Sequence, residues 1–356
     1  MTRFLLAGGG TAGHVNPLLA LADEIMLDES NFVLALGTKE GLESKLVPER
    51  GYQLLTVPRL PMPRRLNRYA LKFPFAFRSS VKLVKEYLLQ QKIDVVVGFG
   101  GYASAPAYRA AQEMNIPYVV HEANAMPGYA NRIGAKKAAA VAVTFSNTRL
   151  SNAVLTGMPL RSEIVALTKT SKRVEAAKYF GIDLDLPTIL VTGGSLGAKR
   201  INEVIEDSRA VLAAAGIQVI HIVGSRANLP DLSEGGYRRL EYLDRMDLAL
   251  AIADFAISRS GAATVSEFAA VGIPALFVPY PVGNGEQKFN AMDMVNSGAA
   301  LLVEDQEFST EYLREKIIPL VVQPKKLAEM KQKALKLGTA TGASNLLKLV
   351  NTVLAN

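Results

Sequence analysis

The chain has 356 residues, of which 49% are hydrophobic and 21% charged, a composition typical of a globular protein long enough for two cores. It has no cysteine, which excludes disulfides, cysteine nucleophiles and thiolate metal sites and fits a reducing compartment. Its three histidines, His14, His121 and His221, are too widely spaced to indicate a metal cluster. Since no apolar run approaches the roughly 20 residues of a spanning helix, and the first residues read as a strand and not as a signal peptide, we expect a soluble or peripheral cytoplasmic protein.

Positive charge is concentrated in residues 59–92, which carry nine Lys or Arg residues and one acidic residue. This segment has a net charge of +8, while the rest of the chain sums to −1. Bulky apolar side chains are interleaved with the charges, a mixture that favours anionic lipid headgroups at about 1 kcal/mol per cation near the membrane. The segment therefore predicts a membrane-binding surface made of Arg64, Arg65, Arg68, Lys72, Phe73, Phe75 and Phe77.

The composition of this segment is compatible with two other interpretations. Nucleic acid is disfavoured as a partner because the apolar residues show no base-stacking module, and we expect none to bind. The remaining alternative is a solvated basic helix pair whose apolar side faces the core.

The first glycine-rich loop follows an apolar strand over residues 4–7 and precedes a helical pattern. Its sequence, Gly8-Gly9-Gly10-Thr11-Ala12-Gly13-His14, contains the spacing G-x-G-x-x-G, which indicates a dinucleotide cofactor when a ribose-binding acid ends the second strand. Gly37 and Thr38 stand at that point instead. The sequence therefore disfavours a nicotinamide oxidoreductase.

The pattern of strand, glycine and helix then recurs along the first half of the chain. Residues 94–102 combine a strand with glycines, residues 103–112 read as a helix, and the strand at 117–120 ends in His121-Glu122-Ala123-Asn124. Such alternation predicts a parallel doubly wound sheet. Pro and Gly in the segment 156–161 indicate a hinge.

After the hinge the pattern restarts, with a strand at 188–191 and the loop Gly193-Gly194-Ser195-Leu196-Gly197-Ala198. This loose repeat predicts an α/β fold of two doubly wound, Rossmann-like parallel-sheet domains that face a cleft. We expect an N-terminal domain over 1–160, a C-terminal domain over 161–338 and a C-terminal helix over 339–356 that returns to the first domain. Further strands are predicted at 218–223, 239–243, 255–258 and 275–278.

Residues 258–291 read as turn, helix, buried strand and polar loop. The helix opens with small residues, so its free N–H groups form a ready anion site. Polar groups follow the buried strand, and this combination suits a sugar nucleotide. The alternative is that Thr264-x-x-Glu267 is only a capping box.

Each histidine has a different predicted setting. His14 begins a helix beside a glycine loop, so it is either a general base or a local hydrogen-bonding group. His121, at a strand end beside Glu122, is expected to organise a loop, and His221, inside an apolar strand, is expected in the core.

The order of five motifs resembles the MurG family of peptidoglycan N-acetylglucosaminyltransferases, and the resemblance extends from about residue 4 to about residue 300. The motifs are the two glycine-rich loops already described, Gly98-Phe99-Gly100-Gly101-Tyr102, His121-Glu122-Ala123-Asn124 and the stretch from Ser258 to Glu267. The resemblance implies the GT-B fold and inverting transfer from UDP-N-acetylglucosamine to the 4-hydroxyl of undecaprenyl-pyrophosphoryl-N-acetylmuramoyl-pentapeptide, lipid I, giving lipid II. It implies no cofactor and no metal, a place at the cytoplasmic face of the membrane, and cell-wall synthesis proteins as further partners.

The resemblance also implies residue roles. His14 would be the base, and Gly100, Gly101 and Tyr102 would bind the acceptor diphosphate. The donor would contact Thr11, Ala12, Gly13, Asn124, Arg161, Ser195, Leu243, Ala262, Ala263, Thr264, Val265, Ser266, Glu267 and Gln287.

The sequence departs from the family pattern at Ala12, Leu196 and Glu286, which stand where Gly, Gln and Gln are usual. A carboxylate near a sugar diphosphate is unfavourable unless it points away, so Glu286 bears on donor affinity and donor choice. The alternatives are a UDP-hexose-dependent diacylglycerol glycosyltransferase and a non-catalytic sugar-nucleotide sensor.

Overall fold

The computed structural model describes residues 1–63, 65, 67–194, 197–281 and 285–355, which form two compact units. Unit 1 comprises Met1–Arg161 and the residues from Thr341 onward, and unit 2 comprises Ser162–Ala340. Each unit contains a seven-stranded sheet. None of the described helices combines the length and the apolar character needed to cross a bilayer.

The sheet of unit 1 is parallel throughout, in the order β3-β2-β1-β4-β5-β6-β7. The strand order therefore reverses between β1 and β4, and the crevice at such a switch point is where doubly wound sheets bind ligands. The strands are β1 Arg3–Ala7, β2 Phe32–Gly37, β3 Gln53–Thr56, β4 Val95–Gly98, β5 Tyr118–Glu122, β6 Ala140–Val143 and β7 Ala153–Leu155. The helices in the first segment of unit 1 are α1 Ala12–Ile25, α2 Glu43–Glu49, α3 Arg68–Gln90, α4 Ser104–Glu113 and α5 Tyr129–Gly134.

Both faces of this sheet are covered. Along β1, Phe4 and Leu6 pack into one buried cluster while Leu5 and Ala7 pack into another. Successive side chains of a strand point to opposite faces, so a strand buried on both sides needs an uninterrupted apolar run. Burial on both faces therefore explains why the strands of this sheet appear in the sequence as uninterrupted apolar runs.

The sheet of unit 2 has the order β10-β11-β9-β8-β12-β13-β14, with its switch point between β8 and β12. Only the β10–β11 pairing among the described strands is antiparallel. The strands are β8 Thr188–Thr192, β9 Gln218–Ile222, β10 Leu232–Glu234, β11 Tyr237–Leu240, β12 Phe255–Ser258, β13 Ala275–Phe277 and β14 Ala300–Leu302. The helices are α6 Ser162–Leu167, α7 Arg173–Phe180, α8 Lys199–Asp207, α9 Arg209–Ala214, α10 Met246–Ile252, α11 Ala262–Val271, α12 Glu286–Ser297, α13 Thr310–Tyr312, α14 Ile318–Val321 and α15 Pro324–Leu337, with a π-helical turn at Leu313–Ile317. The predicted class of two doubly wound α/β sheets is thus confirmed.

Three sequence predictions need correction. The strand predicted at 239–243 stops at Leu240, because its partner β9 ends opposite it at Ile222. Leu243 therefore lies in the loop that follows. The strand predicted at 117–120 continues to Glu122, since His121 and Glu122 still pair with β6. The basic segment contains one helix of 23 residues, α3, and not a helix pair.

The C-terminal helix, α16 Gly342–Ala355, packs in unit 1. Its Leu346 and Val350 are fully buried in the cluster that also holds apolar residues of α1. Asn345 Nδ2 donates to the carbonyl oxygen of Thr156 at 3.1 Å. A Cβ on Gly342 would overlap the carbonyl of Met158, so only glycine allows this approach.

Truncating Leu346 to Ala should destabilise unit 1 by about 2–5 kcal/mol, because the change leaves a cavity in a fully buried cluster. Urea unfolding followed by circular dichroism measures the loss. Lys348→Ala, on the exposed face of the same helix, is the matched control and should change stability by less than about 0.5 kcal/mol. Equal effects of the two changes would contradict the packing of α16.

His121 should make unit 1 sensitive to acid. Burial lowers the pKa of His121 from 6.5 to about 4. The unfolded chain therefore binds a proton at pH values where the folded chain does not, and stability is lost as the pH falls from about 6.5 towards 4. Between pH 7.5 and pH 5 this contribution should be about 2 kcal/mol.

Urea unfolding of the wild type and of His121→Gln at the two pH values isolates this term, since His221 and every carboxylate are common to both proteins. The variant should lose about 2 kcal/mol less on acidification. The same acid sensitivity in both proteins would show that His121 does not titrate in this way.

Candidate active site

In unit 1 the glycine loop after β1 holds His14 in a defined orientation. Thr11 is the N-cap of α1, and Ala12, Gly13 and His14 are its first three residues. His14 Nδ1 lies 3.0 Å from the carbonyl oxygen of Gly9 and 3.3 Å from Thr11 Oγ1. A carbonyl oxygen only accepts, so Nδ1 carries a hydrogen, and in the neutral imidazole this leaves the lone pair at Nε2. That tautomer has the form a general base requires.

The loop after β4 packs directly on the loop after β1. Gly100 and Gly101 have φ of +93° and +80°, and a Cβ on Gly101 would lie 2.5 Å from the carbonyl oxygen of Gly9. A Cβ on Gly100 would lie 3.2 Å from His14 Nε2, so the basic nitrogen faces this loop. Ser104 Oγ accepts from the Gly100 amide at 3.0 Å and fixes the turn. The structure thus brings His14 and the predicted acceptor glycines together at the switch point.

Tyr102 and Asn124 lie at the same edge of the sheet. The ring of Tyr102 lies under the guanidinium of Arg59, 5.1 Å from its central carbon. Buried Glu122, at the end of β5, accepts from the amides of Asn124 at 2.9 Å and of Gly128 at 3.0 Å. Asn131 Nδ2 donates to the same carboxylate at 2.9 Å. Asn124 is therefore held at a carboxyl end of the sheet, half-buried.

Unit 2 contains a cleft of about 1250 Å³ at its own switch point. The cleft is lined by the described glycines of the second loop, which follows β8, and by Arg259, which follows β12. Gln287, predicted from the sequence, lies in it, whereas Ser195 and Leu196 lie outside the described residues. Residues that the sequence analysis missed also line it: Asn202, Arg226, Arg259 and Tyr280.

Helix α11 begins beside Arg259, with Gly261 as its N-cap. Thr264 is therefore its third residue and not its cap, so the capping-box alternative is wrong. The amides of Ala262, Ala263 and Thr264 have no acceptor within the helix, as in any first turn. Ala262, Val265 and Glu267 are buried, and Ala263, Thr264 and Ser266 are half-buried.

Not all predicted donor residues lie in the cleft. Among the described residues that line it are none from α11, and neither Arg161 nor Leu243. Arg161 is the last residue of the first segment of unit 1, and Leu243 is half-buried in the loop after β11. The structure therefore groups only Gln287 of these residues with the second glycine loop.

Arg259 ties together three strand ends of unit 2. Its Nη1 donates to the carbonyls of Val278 at 2.9 Å and Pro279 at 3.0 Å, and it pairs with Asp305. Its guanidinium lies 5.6 Å from the ring centre of Tyr280. A cation directly after a buried parallel strand was the sequence signal that could have identified it.

Gln287 and Glu286 start the helix α12. Gln287 Oε1 accepts from the amide of Tyr280 at 3.0 Å, so its amide group is oriented by the backbone of the loop after β13. The amide nitrogen of that group, Nε2, is a donor suited to a sugar hydroxyl.

A polar network lies beneath the cleft. His221, fully buried in β9, contacts Tyr237 Oη at 2.7 Å and Asn202 Oδ1 at 3.1 Å. Tyr237 donates to Glu206 Oε1 at 2.8 Å, and Arg239 pairs with the same oxygen at 2.8 Å. The core position expected for His221 is confirmed, and burial lowers its pKa to about 4.

Comparison with known proteins identifies the family. Residues 4–143 match the model described as the glycosyltransferase family 28 N-terminal domain, and residues 188–347 match the family 28 C-terminal domain. A protein of Leifsonia xyli subsp. xyli named UDP-N-acetylglucosamine--N-acetylmuramyl-(pentapeptide) pyrophosphoryl-undecaprenol N-acetylglucosamine transferase is 51% identical over 356 residues, covering 100% of this chain and 99% of the relative. A protein of the same name from Streptomyces coelicolor is 46% identical, covering 99% and 98%.

A solved structure agrees with these relatives. The crystal structure of Acinetobacter baumannii MurG matches with a TM-score of 0.77 and 27% identity, over 99% of this chain and 100% of that one. The fold, the two domain models and the full-length relatives thus all indicate the same family. The chain belongs to glycosyltransferase family 28 and, within it, to the MurG family of N-acetylglucosamine transferases.

Proposed function

We propose that this chain transfers N-acetylglucosamine from UDP-N-acetylglucosamine to the 4-hydroxyl of lipid I, giving lipid II for peptidoglycan synthesis. The observation that carries the proposal is the 51% identity, over the full length of both chains, to a relative named for this reaction. The tautomer of His14 adds a chemical argument, because an unprotonated Nε2 is what the transfer requires of its base.

In the proposed mechanism, His14 Nε2 takes the proton of the attacking 4-hydroxyl. The Gly100 and Gly101 loop, with Tyr102, holds the acceptor diphosphate beside that nitrogen, since the loop faces His14. A direct displacement at the anomeric carbon inverts its configuration. The C–O bond to UDP breaks as the new bond forms, so negative charge grows on the leaving diphosphate.

Unit 2 is the proposed site of the nucleotide. The free amides of the first turn of α11 and the glycines after β8 lie at the two sides of its switch point, where a diphosphate gains most from backbone N–H groups. The donor residues of unit 2 remain Ser195, Leu243, the α11 residues 262–267 and Gln287, together with Arg161. Thr11, Ala12, Gly13 and Asn124 of unit 1 are proposed to contact the donor sugar.

We also propose that α3 binds the cytoplasmic face of the membrane. Leu71 and Phe75 are 75% and 72% exposed although they are large and apolar. Arg65, Arg68 and Lys72 are exposed near them, which supplies the positive charge for anionic headgroups. Phe73 and Phe77 are half-buried and stack on each other at 6.0 Å, and Arg64 lies outside the described residues.

Replacing His14 by Ala should lower kcat by about 10²- to 10⁴-fold, the usual cost of losing a general base. The assay follows labelled sugar from UDP-N-acetylglucosamine to a lipid I analogue, with UDP-glucose as a parallel donor and diacylglycerol as a parallel acceptor. UDP binding by calorimetry should be nearly unchanged, because the nucleotide is assigned to unit 2. Transfer to diacylglycerol alone, or full activity of the variant, would overturn the corresponding part of the proposal.

The double change Leu71→Ser and Phe75→Ser should weaken binding to vesicles of equal parts phosphatidylglycerol and phosphatidylcholine at least tenfold, since two apolar side chains no longer enter the interface. Turnover on a water-soluble acceptor should be kept. Leu89→Ser is the matched control, because Leu89 is 67% exposed on the same helix but lies away from this group. Equal weakening by the control, or no weakening by the double change, would reject the surface.

A further inference from the structure

Glu43, at the start of α2, is an acidic residue to which neither the fold nor the proposed mechanism has assigned a role. Its side chain is completely buried. Oε2 accepts from the amide of Gly10 at 2.7 Å, and Oε1 accepts from the amide and from the hydroxyl of Thr38, both at 2.8 Å. All these contacts are donated to it, which a carboxylate can satisfy at both oxygens and an amide cannot.

The surrounding backbone leaves room for this carboxylate alone. A Cβ on Gly9, Gly37 or Gly41 would overlap the side chain of Glu43. Gly9 lies in the loop after β1, Gly37 is the last residue of β2, and Gly41 lies just before α2. Glu43 is thus packed closely against the glycine loop on one side and against the end of β2 on the other.

The carboxylate of Glu43 makes the glycine loop of unit 1 different from the glycine loop of unit 2. In doubly wound folds the amides of the first glycine loop bind a phosphate. In unit 1 the amide of Gly10 already binds the carboxylate of Glu43, an anion supplied by the chain itself. In unit 2 the described glycines of the second loop line an open cleft.

The hydrogen bond to Gly10 has a direct consequence for His14. The amide N–H of Gly10 and the carbonyl of Gly9 belong to one peptide group, which is planar and rigid. Glu43 holds the N–H side of this group, and His14 Nδ1 is 3.0 Å from its oxygen. Hydrogen bonds at both ends of an amide polarise each other, so the carboxylate strengthens the carbonyl as an acceptor.

We propose that Glu43 is a positioning residue that acts on His14 through the Gly9–Gly10 peptide group. Its carboxylate fixes the plane of that peptide, and the peptide carbonyl fixes the imidazole as the Nδ1–H tautomer with Nε2 facing Gly100. No bond is made or broken by Glu43, and no proton leaves it. This inference rests on the proposed function only where it concerns turnover.

The first test does not depend on enzyme activity, and it uses a single variant, which serves only to assign the NMR signals. Two-dimensional ¹⁵N NMR of the wild type distinguishes the imidazole tautomers, and the three histidines are assigned with His14→Ala as reference. His14 should be found as the Nδ1–H tautomer at neutral pH. A dominant Nε2–H tautomer in the wild type would overturn the proposal whatever the enzyme does.

The second test is Glu43→Gln, which keeps the side-chain volume but turns an NH₂ group towards a backbone donor. With the Gly9–Gly10 peptide released, the Nδ1–H tautomer should lose its dominance. Turnover should fall about 10- to 100-fold, the usual effect of losing an orienting partner or displacing a reacting group by about 1 Å. The KM for UDP-N-acetylglucosamine should stay within about twofold, because the nucleotide is assigned to unit 2.

Thr38→Val is the matched control, because it removes a hydrogen bond to Oε1 and leaves Gly10 bound to Oε2. It should lower the urea midpoint of unfolding about as much as Glu43→Gln does, because both changes disturb the same buried hydrogen bonds, with kcat and the His14 tautomer unchanged. A parallel loss of kcat and tautomer in both variants would assign Glu43 a structural role only. An unchanged tautomer in Glu43→Gln would reject the proposed action of Glu43 on His14 through the peptide group. Failure of sugar transfer by the wild type would reject the proposed function, but the NMR result would remain valid.

Discussion

Direct contact between two backbone segments, with no side chain between them, organises the carboxyl edge of the sheet in unit 1. The carbonyl of Gly9 and the turn at Gly101 approach so closely that no Cβ fits, and Gly101 also has a positive φ, so glycine is required there on both grounds. This contact is what aligns the basic nitrogen of His14 with the Gly100 loop. Because β1 and β4 are neighbours across the switch point, the sheet itself sets the distance between the loops.

The glycine loops could be predicted from sequence because each consists of consecutive residues that directly follow an apolar strand. Apolar runs such as residues 4–7 and 188–191 predicted buried parallel strands, and the glycines after them marked the strand ends. Strand ends do not follow from the local pattern alone, as the strand predicted to reach Leu243 shows. Its true end is set by the length of a neighbouring strand, which a local pattern does not contain.

Residues that are distant from the glycine loops in sequence, and that the fold brings next to them, could not be predicted in this way. The sequence has Thr38 and no acid directly after β2, yet Glu43 in the next helix brings a carboxylate to both Thr38 and Gly10. Asn202 and Arg226 line the cleft of unit 2 from a helix and a loop that carry no recognisable motif. Thr264 gave a false capping signal because Gly261 begins the helix three residues earlier.

The position of α16 has a consequence for how the chain is made. Unit 1 is discontinuous in sequence, since its first part ends at Arg161 and its last helix begins at Gly342. During synthesis from the N-terminus, unit 2 is complete before Leu346 and Val350 have emerged from the ribosome. After the first segment of unit 1 is complete at Arg161, the apolar face of α1 that these residues cover stays without them for about 180 further residues of translation, roughly 10–40 s at 5–20 residues per second. The half of the protein that begins first is therefore finished last.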